Sequence, residues 1–255
     1  MVPASDDPRL NRYRPIFDIP ERHMPFEHTI DWTDYWTDAD DADRRDASPS
    51  AQYVLDPLRE LLADRGGADS LADVGCGTGT VAFAIAEEYP DATVTGYDAA
   101  GPVVEENRQR AAEREGPTPG FEQATLPAFD PDRQFDAVCS FYTLCYVPEI
   151  EEALQALYDA VAPGGALVLT YHNSLAQSHF QGIAEDPHEH LGEHSPWDPD
   201  RFADRFAAVI DGEAVLSHER IHDVLGTWPQ SVWSVAEETE RYPAWRHNPL
   251  VYVPK

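Results

Sequence analysis

The sequence predicts an α/β fold in which a doubly wound, mostly parallel sheet carries helices on both faces. Three observations support this prediction. An apolar strand, a glycine-rich turn and a helix follow one another from Leu71 to Glu88, a second strand ends in a carboxylate at Asp98, and further apolar runs alternate with helical segments as far as Tyr171. Strands that alternate with helices are typical of parallel sheets, because each parallel pair needs a crossover connection.

Residues 1–47 are predicted to form an N-terminal extension, since they are rich in proline, acid and aromatic residues and lack a sustained helical or strand period. Within the extension, Trp32, Tyr35 and Trp36 are spaced at i, i+3 and i+4, which places them on one face of a short helix. This face either docks the extension onto the domain or belongs to a lid over a ligand. The acidic run Asp38–Asp43 is interpreted as a solvated linker.

Residues 48–255 are predicted to form the domain itself. An amphipathic helix is expected from Ser48 to Ala63, ended by Gly66-Gly67. Further helices are predicted over residues 80–88, 101–115 and 149–161, and strands over residues 71–74, 93–98, 121–124, 135–141 and 166–171. Beyond residue 172 the pattern weakens: residues 198–209 look helical, whereas residues 214–224 and 250–253 look like strands.

The glycine turn is the strongest local signal of function. Its glycines at 75, 77 and 79 permit backbone torsions closed to other residues and let a ligand approach the backbone, while the helix that follows offers free N–H groups. Asp98 ends the next strand, where a carboxylate can accept both hydroxyls of a ribose. A dinucleotide motif has its third glycine where this chain has Thr80, and Asp73 precedes the turn inside the strand.

An acid two residues before GxGxG and a second acid at the end of the next strand resemble the class I S-adenosylmethionine-dependent methyltransferases. The resemblance extends over about residues 48–172 and includes Pro163-Gly164-Gly165 before the fifth strand. It implies a Rossmann-like sheet of seven strands with an antiparallel seventh, and residues 214–224 and 250–253 would supply the last two. It also implies transfer of a methyl group from S-adenosylmethionine to an acceptor.

The resemblance further implies roles for individual residues at the carboxyl ends of the strands. Asp73 and the glycine turn would hold the amino-acid end of the cofactor, Asp98 its ribose, and Ala99 with the segment near Gln123 its adenine. The cofactor residues predicted in this way are Asp73, Gly75, Cys76, Gly77, Gly79, Asp98, Ala99, Gln123, Ala124 and Ser140. Methyl transfer is an in-line displacement that mainly requires alignment, and a base is needed only for a protonated acceptor. His172 is the candidate base, and Tyr142 is a second candidate catalytic residue beside the methyl group.

Composition restricts the partners. With 18 basic and 47 acidic residues the formal net charge is −29, which disfavours nucleic acid and anionic membranes as partners. Lys255 is the only lysine, so a phosphate-loop lysine and an internal Schiff base are excluded. Such acidity with almost no lysine is similar to that of proteins from salt-accumulating microbes. Three cysteines, no signal-peptide core and no long apolar run indicate a soluble, cytoplasmic protein.

A small-molecule acceptor is therefore predicted, and two alternatives stay open. One is an oxidoreductase that binds NAD(P) in the same turn; the other is a protein that binds S-adenosylmethionine as a sensor or partner subunit without catalysis. The histidine-rich loop from His179 to His194 lacks the HExxH spacing, so it is interpreted as a substrate loop and no metal is predicted. The sequence does not predict an oligomeric state.

Overall fold

The computed structural model describes residues 29–47, 53–192, 195, 197–236 and 246–255. Within these residues one sheet contains seven strands: β1 Ser70–Val74, β2 Thr93–Asp98, β3 Gly120–Gln123, β4 Phe135–Ser140, β5 Val161–Thr170, β6 Gln230–Ser231 and β7 Leu250–Pro254. Their order is β3-β2-β1-β4-β5-β7-β6. The pairs among β1 to β5 are parallel, and β7 is antiparallel to both of its neighbours.

Helices connect and cover these strands. In the described ranges they are α1 Trp32–Asp38, α2 Asp41–Asp46, α3 Leu55–Asp64, α4 Thr80–Glu88, α5 Gly101–Ala112, α6 Ile150–Asp159, α7 Ser174–Glu185, α8 Pro187–His190, α9 Phe202–Arg205, α10 Ala207–Ile210 and α11 His218–Leu225, with 3₁₀ turns at Leu144–Tyr146 and Val232–Ser234. Of these described helices, none has the length and apolar character needed to cross a membrane.

The hydrophobic core lies in two layers, one on each face of the sheet. Leu154 and Leu157 of α6 belong to one layer, and Leu58 of α3 and Ile85 of α4 belong to the other. Burial on both faces explains why β1, β4 and β5 are almost continuously apolar. The chain changes winding direction between β1 and β4, so the carboxyl ends of these two strands open a crevice of the kind in which α/β folds bind ligands.

The α/β architecture, the order of the first five strands and the antiparallel final strand confirm the sequence prediction. The predicted strand at residues 214–224 is wrong, because most of it is α11. Ser217 caps that helix by accepting a hydrogen bond from the Arg220 N–H, and Gly226 ends it at a φ of 70°. The sixth strand is the two-residue β6 instead. Residues 198–209, predicted to be helical, contain the two short helices α9 and α10.

The N-terminal extension contains two helices where the sequence predicted one and a linker. The acidic linker prediction is wrong, since α2 begins at Asp41. Asp31 caps α1 by accepting from the N–H groups of Thr33 and Asp34. Trp36 is buried in a small core with Ala100 and Val103 at the start of α5. Residues 1–28 and the predicted helix start at Ser48 lie outside the described residues.

Candidate functional site

The glycine turn between β1 and α4 is held by contacts that leave no room for larger residues. Gly75 has a φ of 77°, and a Cβ at this position would lie 2.1 Å from the Thr143 Oγ1. The N–H groups of Gly75 and Cys76 both donate to the Tyr97 carbonyl, at 2.7 and 2.9 Å. The turn is therefore fixed between β2 and the loop after β4, with a backbone that only glycine adopts easily.

Asn107 of α5 supports the same turn from the other side. Its Nδ2 donates to the Gly77 carbonyl at 2.7 Å, and the side chain is almost fully buried. Asn107 was not predicted to belong to the site. Its position could have indicated a structural role, because it lies on the same helix face as the apolar pair Val103 and Val104, and a buried amide needs a hydrogen-bond partner.

Asp98, at the end of β2, accepts hydrogen bonds from two backbone groups. The Gly77 N–H donates to its Oδ2 at 2.8 Å and the Ala100 N–H to its Oδ1 at 3.0 Å. Burial raises the pKa of the Asp98 carboxyl, and these backbone hydrogen bonds oppose that rise. A carboxylate has about four acceptor sites, so these backbone hydrogen bonds leave acceptor capacity for a hydroxyl of a ligand.

Asp73, in β1, is the most unusual group of the site. Its side chain is 3% exposed, and its Oδ2 has no hydrogen-bond partner among the described residues. The pKa of Asp73 is raised to about 7, mainly by burial and also by the neighbouring Asp98, while a backbone hydrogen bond from Ala82 opposes the shift. An unpaired buried carboxylate is costly in the free protein, and a cationic ligand group would relieve that cost.

Both carboxylates line one cavity at the carboxyl ends of β1, β2 and β4. The cavity encloses about 1080 Å³, part of which is open to solvent. Its described wall consists of Trp32, Trp36, Ala47, Asp73, Val74, Gly75, Cys76, Gly77, Thr80, Val81, Asp98, Ala99, Ala124, Thr125, Leu126, Phe141, Tyr142, Thr143, Tyr146, Val147 and Pro148. An acidic pair thus lies between an apolar end near Leu126 and an aromatic end near Tyr146.

The cavity brings together most of the predicted site residues. Those in its wall are Asp73, Gly75, Cys76, Gly77, Asp98, Ala99, Ala124 and Tyr142, whereas Gly79, Gln123, Ser140 and His172 are not. Gly79 faces Phe121, which a Cβ would approach to 2.8 Å, so a larger residue would not fit there. The exposed Gln123 donates from Nε2 to the Ala99 carbonyl at 2.8 Å, and the Ser140 side chain is fully buried.

His172 follows β5 and lies against α7. Its ring centroid is 5.2 Å from that of Phe180. The pKa of His172 is lowered to about 4, mainly by burial and also by the nearby His247. The imidazole is therefore neutral and only weakly basic at neutral pH.

Several wall residues were not predicted, and three of them come from the loop after β4. These three are Thr143, Val147 and Pro148. Their position after a parallel strand could have predicted them, because loops at the carboxyl ends of parallel strands line the ligand crevice. Tyr142 begins the loop at a φ of 57°, rare for a non-glycine residue, and its N–H donates to the Thr170 Oγ1 at 2.7 Å.

The histidine-rich segment from His179 to His194 was predicted to be a loop, but its described part consists mainly of the end of α7 and the short helix α8. The His179 and His247 rings stack with centroids 5.3 Å apart, and the His188 Nε2 lies 2.9 Å from the Asp200 Oδ1. No group of three or more potential metal ligands occurs among the residues that the structure describes, and Glu193 and His194 of this segment lie outside them.

The seven-stranded α/β domain has the Rossmann-like fold of solved methyltransferase structures. The structure resembles the plantazolicin methyltransferase BpumL in complex with a triazolic substrate analogue and S-adenosylhomocysteine, with a TM-score of 0.58 at 11% identity over 88% of this chain and 93% of that chain. It also resembles magnesium protoporphyrin IX methyltransferase from Synechocystis PCC 6803, with a TM-score of 0.54 at 18% identity over 84% and 85% of the two chains.

Sequence comparison finds matches for the central part of this domain. Residues 72–167 match the family model described as a methyltransferase domain. A trans-aconitate 2-methyltransferase from Streptomyces coelicolor is 38% identical over 104 residues, which is 39% of this chain and 33% of the relative. A demethylmenaquinone methyltransferase from Thermus thermophilus is 35% identical over 99 residues, which is 39% of this chain and 45% of the relative.

These sequence matches cover only part of each protein. The chain spans about a third of the length of the trans-aconitate methyltransferases to which it is similar.

Proposed function

We propose that this protein is an S-adenosylmethionine-dependent methyltransferase that acts on a small-molecule acceptor. The observation that carries the proposal is the unpartnered Asp73 Oδ2 in the wall of the cavity that also contains Asp98 and the glycine turn. S-adenosylmethionine combines a cationic amino group, a ribose diol and an adenine. Asp73 would hold the amino group, Asp98 the diol, and the apolar surface of Ala99, Ala124 and Leu126 the adenine.

The remaining chemistry is a matter of alignment. S-adenosylmethionine, when bound, supplies a methyl group on an activated sulfur leaving group. The protein therefore needs to orient an acceptor atom in line and exclude water, which is what a closed aromatic wall does. We assign Tyr142 to the wall beside the methyl group. We assign no proton transfer to His172, because it lies outside the cavity wall and has a lowered pKa.

Two alternatives are less well supported. Thr80 occupies the place where an NAD(P) motif has its third glycine, and the relatives and the family model are methyltransferases. A sensor that binds the cofactor without catalysis would keep Asp73 and Asp98 but would show no turnover. We also propose a cytoplasmic location, with no nucleic acid as a partner, on the basis of the acidity and the free thiols of Cys76, Cys139 and Cys145.

The test compares wild type, Asp98→Ala and a matched control, Asp91→Ala. Asp91 is an exposed acid that precedes β2, at the end of the strand opposite Asp98. The Asp91→Ala substitution therefore removes the same charge at a position away from the cavity. Because Asp98→Ala removes a charged acceptor, we expect its Kd for S-adenosylmethionine to rise roughly 10- to 100-fold, with Asp91→Ala unchanged. Calorimetry with S-adenosylmethionine and with NAD measures both affinities. Binding of NAD alone, or an Asp98→Ala affinity within twofold of wild type, would contradict the proposal.

Catalysis needs a separate readout. Methyl-labelled S-adenosylmethionine is incubated with the protein and a metabolite fraction below 1 kDa, and labelled products are separated from S-adenosylmethionine. Cofactor binding without any labelled product would favour the non-catalytic alternative.

A further inference from the structure

Tyr142, in the loop directly after β4, has a backbone conformation that its residue type disfavours. Its φ of 57° is the single positive φ at a non-glycine residue in the described part of the chain. The left-handed conformation brings the Cβ close to the following carbonyl oxygen, so a bulky residue keeps it only where the surrounding structure imposes it. Because Tyr142 lines the cavity, whatever imposes this conformation also shapes the cavity wall.

The Thr170 hydroxyl holds Tyr142 from the last position of β5. The Tyr142 N–H donates to the Thr170 Oγ1 at 2.7 Å, between residues 28 positions apart in the chain. The main-chain pairing of β4 with β5 ends at Ser140 and Leu169, one residue short of Thr170. A side-chain hydrogen bond therefore continues from the point where the main-chain pairing ends.

Thr170 is itself fixed in the centre of the sheet. Its side chain is buried, and its backbone pairs with Leu250 of the antiparallel β7. Its strand, β5, lies between β4 and β7. The hydroxyl thus belongs to the rigid part of the fold, whereas Tyr142 belongs to the loop that it holds.

The residues on either side of Tyr142 are held by other contacts. The Thr143 Oγ1 donates to the Phe141 carbonyl at 3.1 Å. Thr143 also packs against the cofactor turn, where a Cβ on Gly75 would lie 2.1 Å from its Oγ1. Loss of the Thr170 hydroxyl would therefore release the Tyr142 N–H and leave the contact of Thr143 with the cofactor turn in place.

The conformation of Tyr142 decides where its ring lies. Relaxation from a φ of 57° to the value near −63° of right-handed backbone turns the residue by roughly 120°. Since Tyr142 contributes to the cavity wall, such a turn would move an aromatic ring away from its position there. An error of about 1 Å in the placement of a reacting group can lower a rate about 100-fold.

We propose that Thr170 is a positioning residue for methyl transfer, because its hydroxyl holds Tyr142 in the left-handed conformation that places this residue in the cavity wall. Thr170 is not part of the described wall, so it acts through Tyr142 and does not touch a ligand. The acceptor is aligned against the wall that Tyr142 completes. This inference rests on the proposed function, so its test includes one measurement that needs no turnover.

Amide hydrogen exchange tests the hydrogen bond directly. Selective nitrogen-15 labelling limits the NMR spectrum to the 11 tyrosines, and the peak missing from Tyr142→Phe identifies the amide of Tyr142. We expect this amide to exchange at least tenfold faster in Thr170→Val, because valine has the shape of threonine without its hydroxyl. Thr170→Ser keeps the hydroxyl and should exchange at a rate within threefold of wild type.

Kinetics test the effect on methyl transfer. The apparent kcat and the KM for S-adenosylmethionine are measured with methyl-labelled cofactor and one fixed preparation of metabolites below 1 kDa. In Thr170→Val we expect the apparent kcat to fall about 10- to 100-fold, whereas the KM for S-adenosylmethionine and the Kd for S-adenosylhomocysteine stay within threefold of wild type. Thr170→Ser should recover at least a third of the wild-type kcat. The matched control, Thr93→Val, makes the same exchange at the exposed first residue of β2 and should behave as wild type.

The opposite results are equally defined. An unchanged exchange rate of the Tyr142 amide in Thr170→Val, or an apparent kcat within twofold of wild type, would overturn the proposal. A fall in kcat that is matched by weaker cofactor binding and a lower Tm, and that Thr170→Ser does not rescue, would give Thr170 a purely structural role. Cofactor binding without methyl transfer in the wild-type protein would instead contradict the proposed function, and the exchange rates would still decide whether Thr170 fixes Tyr142.

Discussion

At the scale of single residues, ionisation of Asp73 should lower the stability of the ligand-free protein and raise its affinity for a cationic ligand. The raised pKa means that at pH 5 the folded protein holds a proton on Asp73 that the unfolded chain has released. This group therefore contributes less to stability as the pH rises from about 4 through 7. We expect Asp73→Asn to raise the free energy of unfolding of the ligand-free protein at pH 8, by on the order of 1–3 kcal/mol.

Thermal melts of wild type and Asp73→Asn at pH 5 and pH 8 measure this difference. The variant should gain stability at pH 8 and little at pH 5, where wild-type Asp73 is already neutral. A gain of the same size at both pH values would show that the charge of Asp73 is not its cause.

The same carboxyl predicts how cofactor binding depends on pH. A cationic amino group pairs with ionised Asp73, so the Kd for S-adenosylmethionine should rise about tenfold for each pH unit below about 7 and level off above it. Calorimetry between pH 5.5 and 8.5 measures the profile. Asp73→Asn should bind weakly with a flat profile, and a flat profile in wild type would exclude Asp73 as the titrating contact.

At the scale of elements, α1 and α2 form an arm that covers one side of the cavity. Trp32, Trp36 and Ala47 of this arm belong to the cavity wall, and Arg44 forms an ion pair with Glu106 of α5. We predict that the arm closes over bound cofactor, so tryptic cleavage after Arg44 and Arg45 should be slower in the presence of S-adenosylhomocysteine. Mass spectrometry of timed digests measures the two rates.

Cleavage after the exposed Arg133, which precedes β4 at the end of the sheet opposite the cavity, provides the internal control and should not change with ligand. Equal rates at Arg44 with and without ligand would indicate an arm that is permanently docked, with Trp36 as a packing residue.

The elements also show what the sequence could predict. The first five strands were predictable because their apolar runs are bounded by glycine, proline or acid, as at Pro163-Gly164-Gly165. The positions of Asp73 and Asp98 in the cavity wall were predictable because one lies just before the glycine turn and the other ends the next strand. The error at residues 214–224 arose because the Ser217 cap and Gly226 stop signal were outweighed by an apolar pattern that fits either structure.

The aromatic end of the cavity was not predictable, because it is made by contacts over long sequence separations. Trp32 and Tyr146 come from different segments, and no local periodicity relates them. Gly79 illustrates the converse problem: its motif suggested a ligand contact, whereas the space beside it is occupied by Phe121.

At the scale of the whole molecule, the charge of −29 should make the stability of the folded protein depend on salt. Like charges repel more strongly in a compact chain, and the Debye length falls from about 10 Å at 0.1 M to about 3 Å at 1 M salt. We expect the Tm to rise as KCl increases from 0.05 M to 2 M. Scanning calorimetry measures the Tm at each KCl concentration. A Tm that stays flat or falls would indicate that the acidic composition is not an adaptation to salt.

Two consecutive residues of α5, Glu106 and Asn107, connect the arm to the cofactor turn. Glu106 holds Arg44 of the arm, whereas Asn107 holds the Gly77 carbonyl of the cofactor turn. One helical turn therefore joins two events that are otherwise separate, and their coupling is reciprocal by thermodynamic necessity. Whatever factor the docked arm adds to cofactor affinity, bound cofactor must add to the docking equilibrium of the arm, so a substitution that changes this coupling changes both by the same factor.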